Sequence, residues 1–392
     1  MKNYTVPPIR NAIVMLTNQC NCRCVYCFEN RSKERMSLDT AKATLGFLHS
    51  SGSPRPGFTF FGGEPMLEFD SIIRPLVEHA KTAYNVPTRF AMTTNGTLFT
   101  RERLQYLKEN TAGFMLSMDG AATAQNGNRP LANGGNSFDA VMKYVPYILE
   151  LWPNQSFRET LTQYNAGSFF EDILFFQSIG CKNLMIVPDI FEAWSEESIE
   201  TLSQQVKRYE EYIIDQFRHG GRPLLTHEYS MGFKQIVSAH NCAVKGTPRR
   251  SGPGCAGCSQ CGFGVRGSAS IDPNGDIYGC HHISPLNRES PFYIGNIYEG
   301  IDEERVRRLV SLYDPAAVGN EQCKSCGLDG FCHGGCAPNN YQIMGNVNRV
   351  PPMYCVWQRL MADSAYRIME TLHKEENQLF NATFVEGVTR GW

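Results

Sequence analysis

The sequence predicts an α/β fold built on a parallel β-sheet. Residues 12–190 alternate six short apolar segments with five longer segments of helical periodicity. Short apolar strands that alternate with helices are typical of a parallel sheet with helices outside it. A second observation is the placement of the 15 cysteines, of which four lie at 20–27 and ten between 242 and 355. This grouping predicts metal binding rather than a disulfide framework.

Strands and helices follow one another in a regular order through the first part of the chain. The predicted strands are 12–17, 58–61, 89–93, 113–117, 158–162 and 183–187. The predicted helices between them are 37–50, 70–84, 100–110, 136–150 and 168–179. Ser37 stands where a helix N-cap is expected. Periodicity alone does not distinguish a doubly wound sheet from a barrel.

A change of composition predicts a second domain. A charged helix is predicted over 196–218, and the glycines and proline of 220–223 end it. Residues 242–282 are rich in Gly and Cys. A short helix near 302–313 and a final helix starting near Cys355 follow. With the boundary placed near 235, the predicted domains are 1–235 and 236–392.

Bulk composition excludes several classes of protein. The chain has 392 residues, 42% of them hydrophobic and 19% charged, which is ordinary for a globular protein. A net charge of −2 predicts neither a nucleic-acid nor a membrane partner. No apolar run reaches the roughly 18 residues of a transmembrane helix. The first residues also lack the apolar stretch of a signal peptide, so we expect a cytoplasmic protein.

Three cysteines form a compact motif directly after the first predicted strand. Cys20, Cys24 and Cys27 stand in a C-x3-C-x2-C spacing. A four-iron cluster usually takes four cysteines, so three of them predict an iron left open for another ligand. This motif resembles that of the radical S-adenosylmethionine (SAM) enzymes, including the aromatic Tyr26 before the third cysteine.

Residues at the ends of the next strands resemble the SAM pocket of the same family. The sequence GGEP at 62–65 resembles a family motif whose glycines let the backbone come close to a ligand. Segments 93–96 and 117–120 resemble others that line the pocket. Taken alone, all three are also consistent with ordinary turns, but the position of 62–65 one strand after the cysteine motif favours the family motif there. The resemblance implies the cofactor-binding residues Gly62, Gly63, Glu64, Pro65, Asn95, Ser117 and Arg129.

The resemblance also implies a fold and a chemistry. It favours a partial (β/α)6 barrel of the TIM type, with the site at the C-terminal ends of the strands. SAM would bind the open iron of a [4Fe-4S] cluster. An external one-electron reductant of the flavodoxin or ferredoxin type would drive its cleavage to methionine and a 5′-deoxyadenosyl radical, which takes a hydrogen atom from the substrate.

The C-terminal cysteines resemble the SPASM domain, which holds two auxiliary [4Fe-4S] clusters. Two clusters need eight thiolates, and the family pattern supplies seven. Sulfatase-maturing relatives carry another cysteine six positions before the first, which is Cys255 here; Cys258 and Cys242 are the competing candidates. The resemblance implies Cys255, Cys261, Cys280 and Cys336 for the first auxiliary cluster, and Cys323, Cys326, Cys332 and Cys355 for the second.

The family resemblance points to the oxidation of a peptide or protein side chain. The predicted function is a maturase that crosslinks or otherwise modifies a ribosomally made peptide (RiPP). Formylglycine formation in sulfatases is the first alternative, but those enzymes carry an Asp directly after the match to Cys280, where His281 stands here. His281 is therefore the candidate catalytic base, since histidine accepts a proton near pH 7; a purely structural His281 is the alternative.

Two further functions remain open from the sequence. One is a radical SAM oxidoreductase that acts on a small molecule. The other, from a different class, is a metal-binding scaffold or electron carrier, which leaves the motif at 62–65 unexplained. Only about eleven residues precede the first strand, so we expect no N-terminal peptide-recognition domain. A precursor peptide would then bind the C-terminal domain or a separate recognition protein.

Overall fold

A ten-stranded β-sheet organises the part of the chain that the structure describes. In this computed structural model the described residues are 5–244, 267–283, 286–312, 323, 325–328, 331–332 and 334–385, and for 238–244 only the helical backbone is described. The strand order is β10-β9-β8-β7-β1-β2-β3-β4-β5-β6. The first six strands are parallel and lie side by side in chain order.

Those six strands correspond to the predicted ones, shifted by at most two residues at each end. They are β1 Asn11–Thr17, β2 Gly57–Gly62, β3 Arg89–Thr94, β4 Phe114–Ser117, β5 Ser156–Leu161 and β6 Asn183–Pro188. β1 pairs with β7 on its second side, so β1 and β6 are not neighbours and the parallel strands form an open, partial barrel. The carboxyl ends of β1–β6 meet at one edge, which we call the C-terminal edge.

Helices connect the parallel strands. They are α1 Leu38–His49, α2 Arg74–Ala83, α3 Arg101–Asn110, α4 Ala122–Asn128, α5 Ser137–Met142, α6 Val145–Leu151, α7 Phe169–Ser178 and α8 Glu196–Arg218. Ser37 caps α1 as predicted, accepting a hydrogen bond from the Thr40 N–H at 3.0 Å.

Two predicted helices differ in the structure. The single helix expected at 136–150 is two helices, α5 and α6, and Pro146 lies in the first turn of α6 where its missing N–H is tolerated. The helix expected at 70–84 is preceded by a 3₁₀ turn at Pro65–Glu68 and a π-turn at Phe69–Ile73, so only Arg74–Ala83 is α-helical.

The Cys-rich region continues the sheet of the barrel. Its strands are β7 Ser268–Ile271, β8 Asp276–Tyr278, β9 Tyr293–Asn296 and β10 Gly300–Ile301. β7 lies parallel to β1, with Asn11 opposite Ser268 and Val14 opposite Ile271. β8, β9 and β10 follow in antiparallel order. The predicted division near residue 235 falls inside a helix and remains a prediction.

Four helices of eight or more residues lie in the described part of this half of the molecule. They are α9 His227–Val244, α10 Glu303–Leu312, α11 Ala337–Met344 and α12 Pro352–Lys374. The sequence did not predict α4, α9 or α11, and α12 begins at Pro352, three residues before the predicted start. α12 packs against α8 through a bidentate Arg367–Glu210 pair, the shortest distance being 2.8 Å. None of the helices in the described ranges is long and apolar enough to span a bilayer.

Candidate functional site

The three N-terminal cysteines lie on the loop that follows β1 at the C-terminal edge. Cys20 and Cys24 are partly buried and Cys27 is exposed. The segment after α4 holds this loop in place: Arg23 N–H donates to the Pro130 carbonyl at 2.7 Å, and Val25 N–H donates to the Asn128 carbonyl at 3.0 Å. The loop is therefore anchored across the barrel, from β1 to the segment that follows β4.

The two glycines of the motif at 62–65 pack directly against the start of the cysteine loop. Gly63 N–H donates to the Thr17 carbonyl at 2.7 Å, and Glu64 N–H donates to the Gln19 carbonyl at 2.9 Å. A Cβ atom on Gly63 would overlap the Gln19 carbonyl oxygen, and Gly62 has φ +130°. Only glycine allows this close approach. These residues therefore support the backbone immediately before Cys20.

Glu64 joins the end of β2 to the end of β3. One carboxylate oxygen accepts from Met66 N–H at 2.9 Å and from the Thr94 hydroxyl at 2.8 Å, and the other accepts from Asn95 N–H at 2.8 Å. Burial raises the pKa of Glu64 to about 7, and these three donors oppose the rise. The structure gives Glu64 a positioning role for Asn95; Pro65 begins the 3₁₀ turn that follows.

Asn95 lies beside the first cysteine. Its Nδ2 is 3.0 Å from Asn21 Oδ1 and 3.8 Å from Cys20 Sγ. A hydrogen bond from the Cys22 thiol, helped by the Cys22 N–H and Asn95, lowers the pKa of Cys20 to about 6 although burial opposes the change. The thiolate is the form of cysteine that binds metal. The environment of Cys20 therefore fits an iron ligand, and buried Cys22 is a hydrogen-bond partner in it.

Asp119 connects three elements around the cysteine loop. Its carboxylate accepts from the Tyr26 hydroxyl at 2.5 Å and from Thr160 N–H at 2.9 Å, and it forms an ion pair with Arg129 at 2.9 Å. The Arg129 guanidinium also lies over the Tyr26 ring, 5.2 Å from its centre. Burial opposes the charge of Arg129, but Asp119, followed by Tyr26 and Cys24, raises its pKa well above the ordinary value.

Arg129 retains a buried donor for a ligand. Its Nε is buried and has no hydrogen-bond partner among the described residues. Ser117, the last residue of β4, is half-buried and stands opposite Arg158 in the sheet register. A buried donor without a protein partner, close to the cysteine loop, fits an anionic group such as the carboxylate of SAM.

Arg158 is the site residue that sequence reasoning missed. It lies on β5 between Ser117 of β4 and Met185 of β6. Burial, followed by the neighbouring Arg129, lowers the pKa of Arg158. Its backbone carbonyl accepts from Met118 N–H at 3.0 Å, but within the described part of the chain its guanidinium makes no hydrogen bond or ion pair. The signal in the sequence was an arginine inside a strand of a mostly apolar sheet.

His281 and His282 follow β8 and reach the C-terminal edge through aromatic contacts. The His281 ring meets Phe61 edge-on at 4.7 Å, and His282 stacks on Phe28 at 5.3 Å. Phe28 in turn stacks on Phe191 at 6.1 Å. Burial, then His282 and Arg158, lower the pKa of His281 well below its ordinary value, so the ring is neutral at pH 7.

Residues 14–163 match the family model of the radical SAM superfamily. The chain carries a radical SAM domain. Over 384 residues it is 22% identical to the radical SAM cyclopropyl synthase TigE of Paramaledivibacter caminithermalis, covering 93% of this chain and 74% of the relative. It is 23% identical over 368 residues to a serine-type anaerobic sulfatase-maturating enzyme of Bacteroides thetaiotaomicron, covering 87% of this chain and 86% of the relative.

Solved structures share the fold of this chain. Native anSMEcpe with bound AdoMet and the Cp18Cys peptide has a TM-score of 0.70 at 19% identity, covering 93% of this chain and 99% of that chain. Streptococcus suis SuiB bound to the precursor peptide SuiA has a TM-score of 0.58 at 15% identity, covering 90% and 77%. The predicted α/β class and parallel partial barrel are confirmed. The radical SAM family implies one [4Fe-4S] cluster and SAM, and the residues around Cys20 fit both.

The C-terminal cysteines of the chain fall partly inside the described ranges. Cys280 follows β8, Cys336 precedes α11, and Cys355 lies in the first turn of α12. Burial, then Cys323, Cys332 and Cys326, raise the pKa of Cys355 to about 11. The thiols of Cys323, Cys326 and Cys332 therefore lie within electrostatic range of Cys355.

The remaining predicted ligands are not placed. Cys255, its competitor Cys258, and Cys261 lie outside the described residues, and the side chain of Cys242 does too. In the described ranges no three Cys, His, Asp or Glu side chains surround a single-ion site. A four-iron cluster binds each thiolate at a different iron and does not need such a site. The auxiliary ligand sets stay predictions.

Proposed function

We propose that this chain is a radical SAM/SPASM maturase that oxidatively crosslinks or modifies a side chain of a ribosomally made peptide. The observation that carries the proposal is the contact between the two halves of the molecule at the C-terminal edge. His281, which follows Cys280 directly, meets Phe61 at the end of β2, one residue before the motif at 62–65. The predicted auxiliary region therefore borders the proposed SAM pocket.

The first part of the proposal is the SAM site. Cys20, Cys24 and Cys27 would hold the cluster, which with SAM supplies the radical chemistry when bound. The Gly62–Gly63 turn and Glu64 hold the cysteine loop and Asn95 in register. Ser117, Arg129 and Arg158 would bind the carboxylate of SAM, since guanidinium groups suit that geometry.

The second part is the place of the substrate. The rings of Phe28, Phe191, His281 and His282 form a wall beside this pocket. Such a wall suits an apolar or aromatic side chain of a peptide and excludes water from the reacting atom. The neutral His281 would accept the proton that leaves the substrate. In support, the anSMEcpe and SuiB structures of the same fold contain bound peptides.

The third part is electron transfer. Hydrogen abstraction leaves a substrate radical, which must lose one more electron to give the oxidised product. Two auxiliary clusters, held by the two predicted sets of four cysteines, would accept it. An external reductant of the flavodoxin or ferredoxin type would supply the electron that starts the reaction.

Anaerobic reconstitution tests the proposal directly. About twelve irons per chain are expected for three four-iron clusters. With dithionite and SAM, the protein should release 5′-deoxyadenosine, and Cys20→Ala/Cys24→Ala/Cys27→Ala should abolish release while keeping about eight irons. If the reconstituted protein holds all its iron but releases no 5′-deoxyadenosine, the enzyme assignment is wrong. A precursor peptide encoded by a neighbouring gene is the substrate to assay for loss of hydrogen by mass spectrometry.

Formylglycine formation is the second candidate function. It is favoured by the similarity to a sulfatase-maturating enzyme over 87% of this chain. A peptide containing a sulfatase-type Cys or Ser distinguishes the two: conversion to formylglycine would replace the crosslinking proposal. In either case His281→Ala should stop product formation while 5′-deoxyadenosine is still released, whereas His281→Ala with unchanged product would remove the base assignment.

A further inference from the structure

A guanidinium group points at one of the predicted cluster thiols. Arg359 Nη2 lies 3.3 Å from Cys326 Sγ. We propose that Arg359 sets the reduction potential of the second auxiliary cluster by donating a hydrogen bond to the Cys326 thiolate. The inference rests on the proposed function, because it requires a cluster bound by Cys323, Cys326, Cys332 and Cys355, which we call the second auxiliary site.

The position of Arg359 follows from the helix that carries it. Cys355 lies in the first turn of α12, and Arg359 is four residues further on, so both side chains share one face of the helix. Cys326 comes from a separate segment 33 residues earlier in the chain. Arg359 therefore bridges the two segments that make up the site.

Arg359 differs from the other cations of α12. Arg367 pairs with Glu210, and Lys374 pairs with Glu370. Within the described residues the hydrogen-bond partner of Arg359 is a sulfur atom instead of a carboxylate. An exposed arginine with this geometry is not explained by surface ion pairing.

The guanidinium of Arg359 places a positive charge beside the Cys326 sulfur. A four-thiolate cluster gains one more negative charge when it is reduced. A nearby positive charge and a hydrogen bond to a ligand sulfur both favour the reduced form, which raises the potential. Solvent screens part of this effect because Arg359 is exposed.

The experiment compares Arg359→Gln and Arg359→Lys in the background Cys20→Ala/Cys24→Ala/Cys27→Ala, which leaves only the auxiliary clusters. Arg55→Gln is the matched control, since Arg55 is exposed and precedes β2 at the end opposite the cysteine loop. Iron content and EPR-monitored potentiometric titration are measured for each reconstituted protein.

We expect Arg359→Gln to shift one cluster to a more negative potential. The ratio of reduced to oxidised cluster is compared at the midpoint potential that this cluster has in the parent protein. In Arg359→Gln the ratio should fall about threefold to tenfold, and a tenfold fall corresponds to about 59 mV for a one-electron couple. The other cluster and the Arg55→Gln control should not move. Arg359→Lys keeps the charge and should recover part of the shift.

Three results would overturn the inference. One is a pair of unchanged potentials with all the auxiliary iron present. Another is an equal shift of both clusters, which would indicate a general field effect. The third is loss of about four irons in Arg359→Gln, which would indicate a role in assembly. A different result would contradict the proposed function itself. If the triple cysteine variant with Arg359 intact holds only about four irons, the proposal of two auxiliary clusters is wrong, and the iron count alone shows this.

Discussion

The carboxylate of Asp119 and the guanidinium of Arg129 form a buried ion pair, 2.9 Å apart, beneath the cysteine loop. Asp119 is fully buried and also accepts from the Tyr26 hydroxyl, next to Cys27. The sequence assigned the positive charge of Arg129 to SAM binding, but Asp119 already balances that charge in the structure. Arg129 would bind a ligand through donors that do not face Asp119, among them its buried Nε.

Asp119→Ala should destabilise the protein by about 3–5 kcal/mol, because it leaves the Arg129 charge buried without a partner. Thermal unfolding of the anaerobically reconstituted protein measures the change. Asp70→Ala, which removes an exposed partner of Arg103, is the control and should cost about 0–1 kcal/mol. The double variant Asp119→Ala/Arg129→Met should lose less stability than the sum of the losses in Asp119→Ala and Arg129→Met. Additive losses would contradict a coupled pair.

Gly63→Ala should remove the SAM-site cluster. The added methyl group would overlap the Gln19 carbonyl and push the backbone before Cys20 out of place. Iron content should fall by about four per chain, with the auxiliary iron retained. Gly127→Ala is the matched control, since Gly127 lies in α4 and a Cβ there meets nothing within 4 Å. Full iron in Gly63→Ala would show that the cysteine loop tolerates the displacement.

Arg158→Gln should weaken SAM binding about tenfold to a hundredfold, because a hydrogen bond to a charged group contributes about 1.5–3 kcal/mol. Equilibrium dialysis with SAM measures the affinity. Decarboxylated SAM should bind both proteins equally, since it lacks the carboxylate that Arg158 is proposed to bind. If SAM affinity is unchanged and only peptide modification falls, Arg158 instead binds an acidic group of the substrate.

Glu228→Gln should change how stability depends on pH. Glu228 lies in the first turn of α9, and burial raises its pKa from 4.5 to about 7. A carboxyl group with a raised pKa contributes stability that is fully present below pH 4.5 and is lost as the pH rises through about 7. Between pH 5.5 and 8 the parent protein should lose about 2 kcal/mol that the variant keeps.

Melting temperatures across that pH range test the Glu228 prediction. The difference between Glu228→Gln and the parent should move in favour of the variant as the pH rises. Glu197→Gln, a change in the first turn of α8 at an exposed residue, should follow the parent at every pH. A constant difference for Glu228→Gln would mean that Glu228 stays ionised throughout.

Local patterns explain what was predictable from sequence. Three features depend on residues close together in the chain: the alternation of strands with helices, the Ser37 cap and the span of α8. The sequence predicted each of them, and the structure agrees. The division of 136–150 at Pro146 follows from the missing N–H of proline, a local signal that the periodicity concealed. The helix α9 was missed because composition pointed to a change of domain there.

The sequence by itself determined the class of fold and the chemistry. Regular strand–helix alternation and the fixed cysteine spacings carry that information, because they require only neighbours along the chain. The tertiary structure decided which distant residues meet: β1 with β7, Arg129 with Asp119, and His281 with Phe61. Such contacts depend on packing between segments that are far apart in the chain. The hydrogen bond from the Ser270 hydroxyl to the Ile13 carbonyl, for example, joins residues 257 positions apart. No local pattern encodes contacts of this kind.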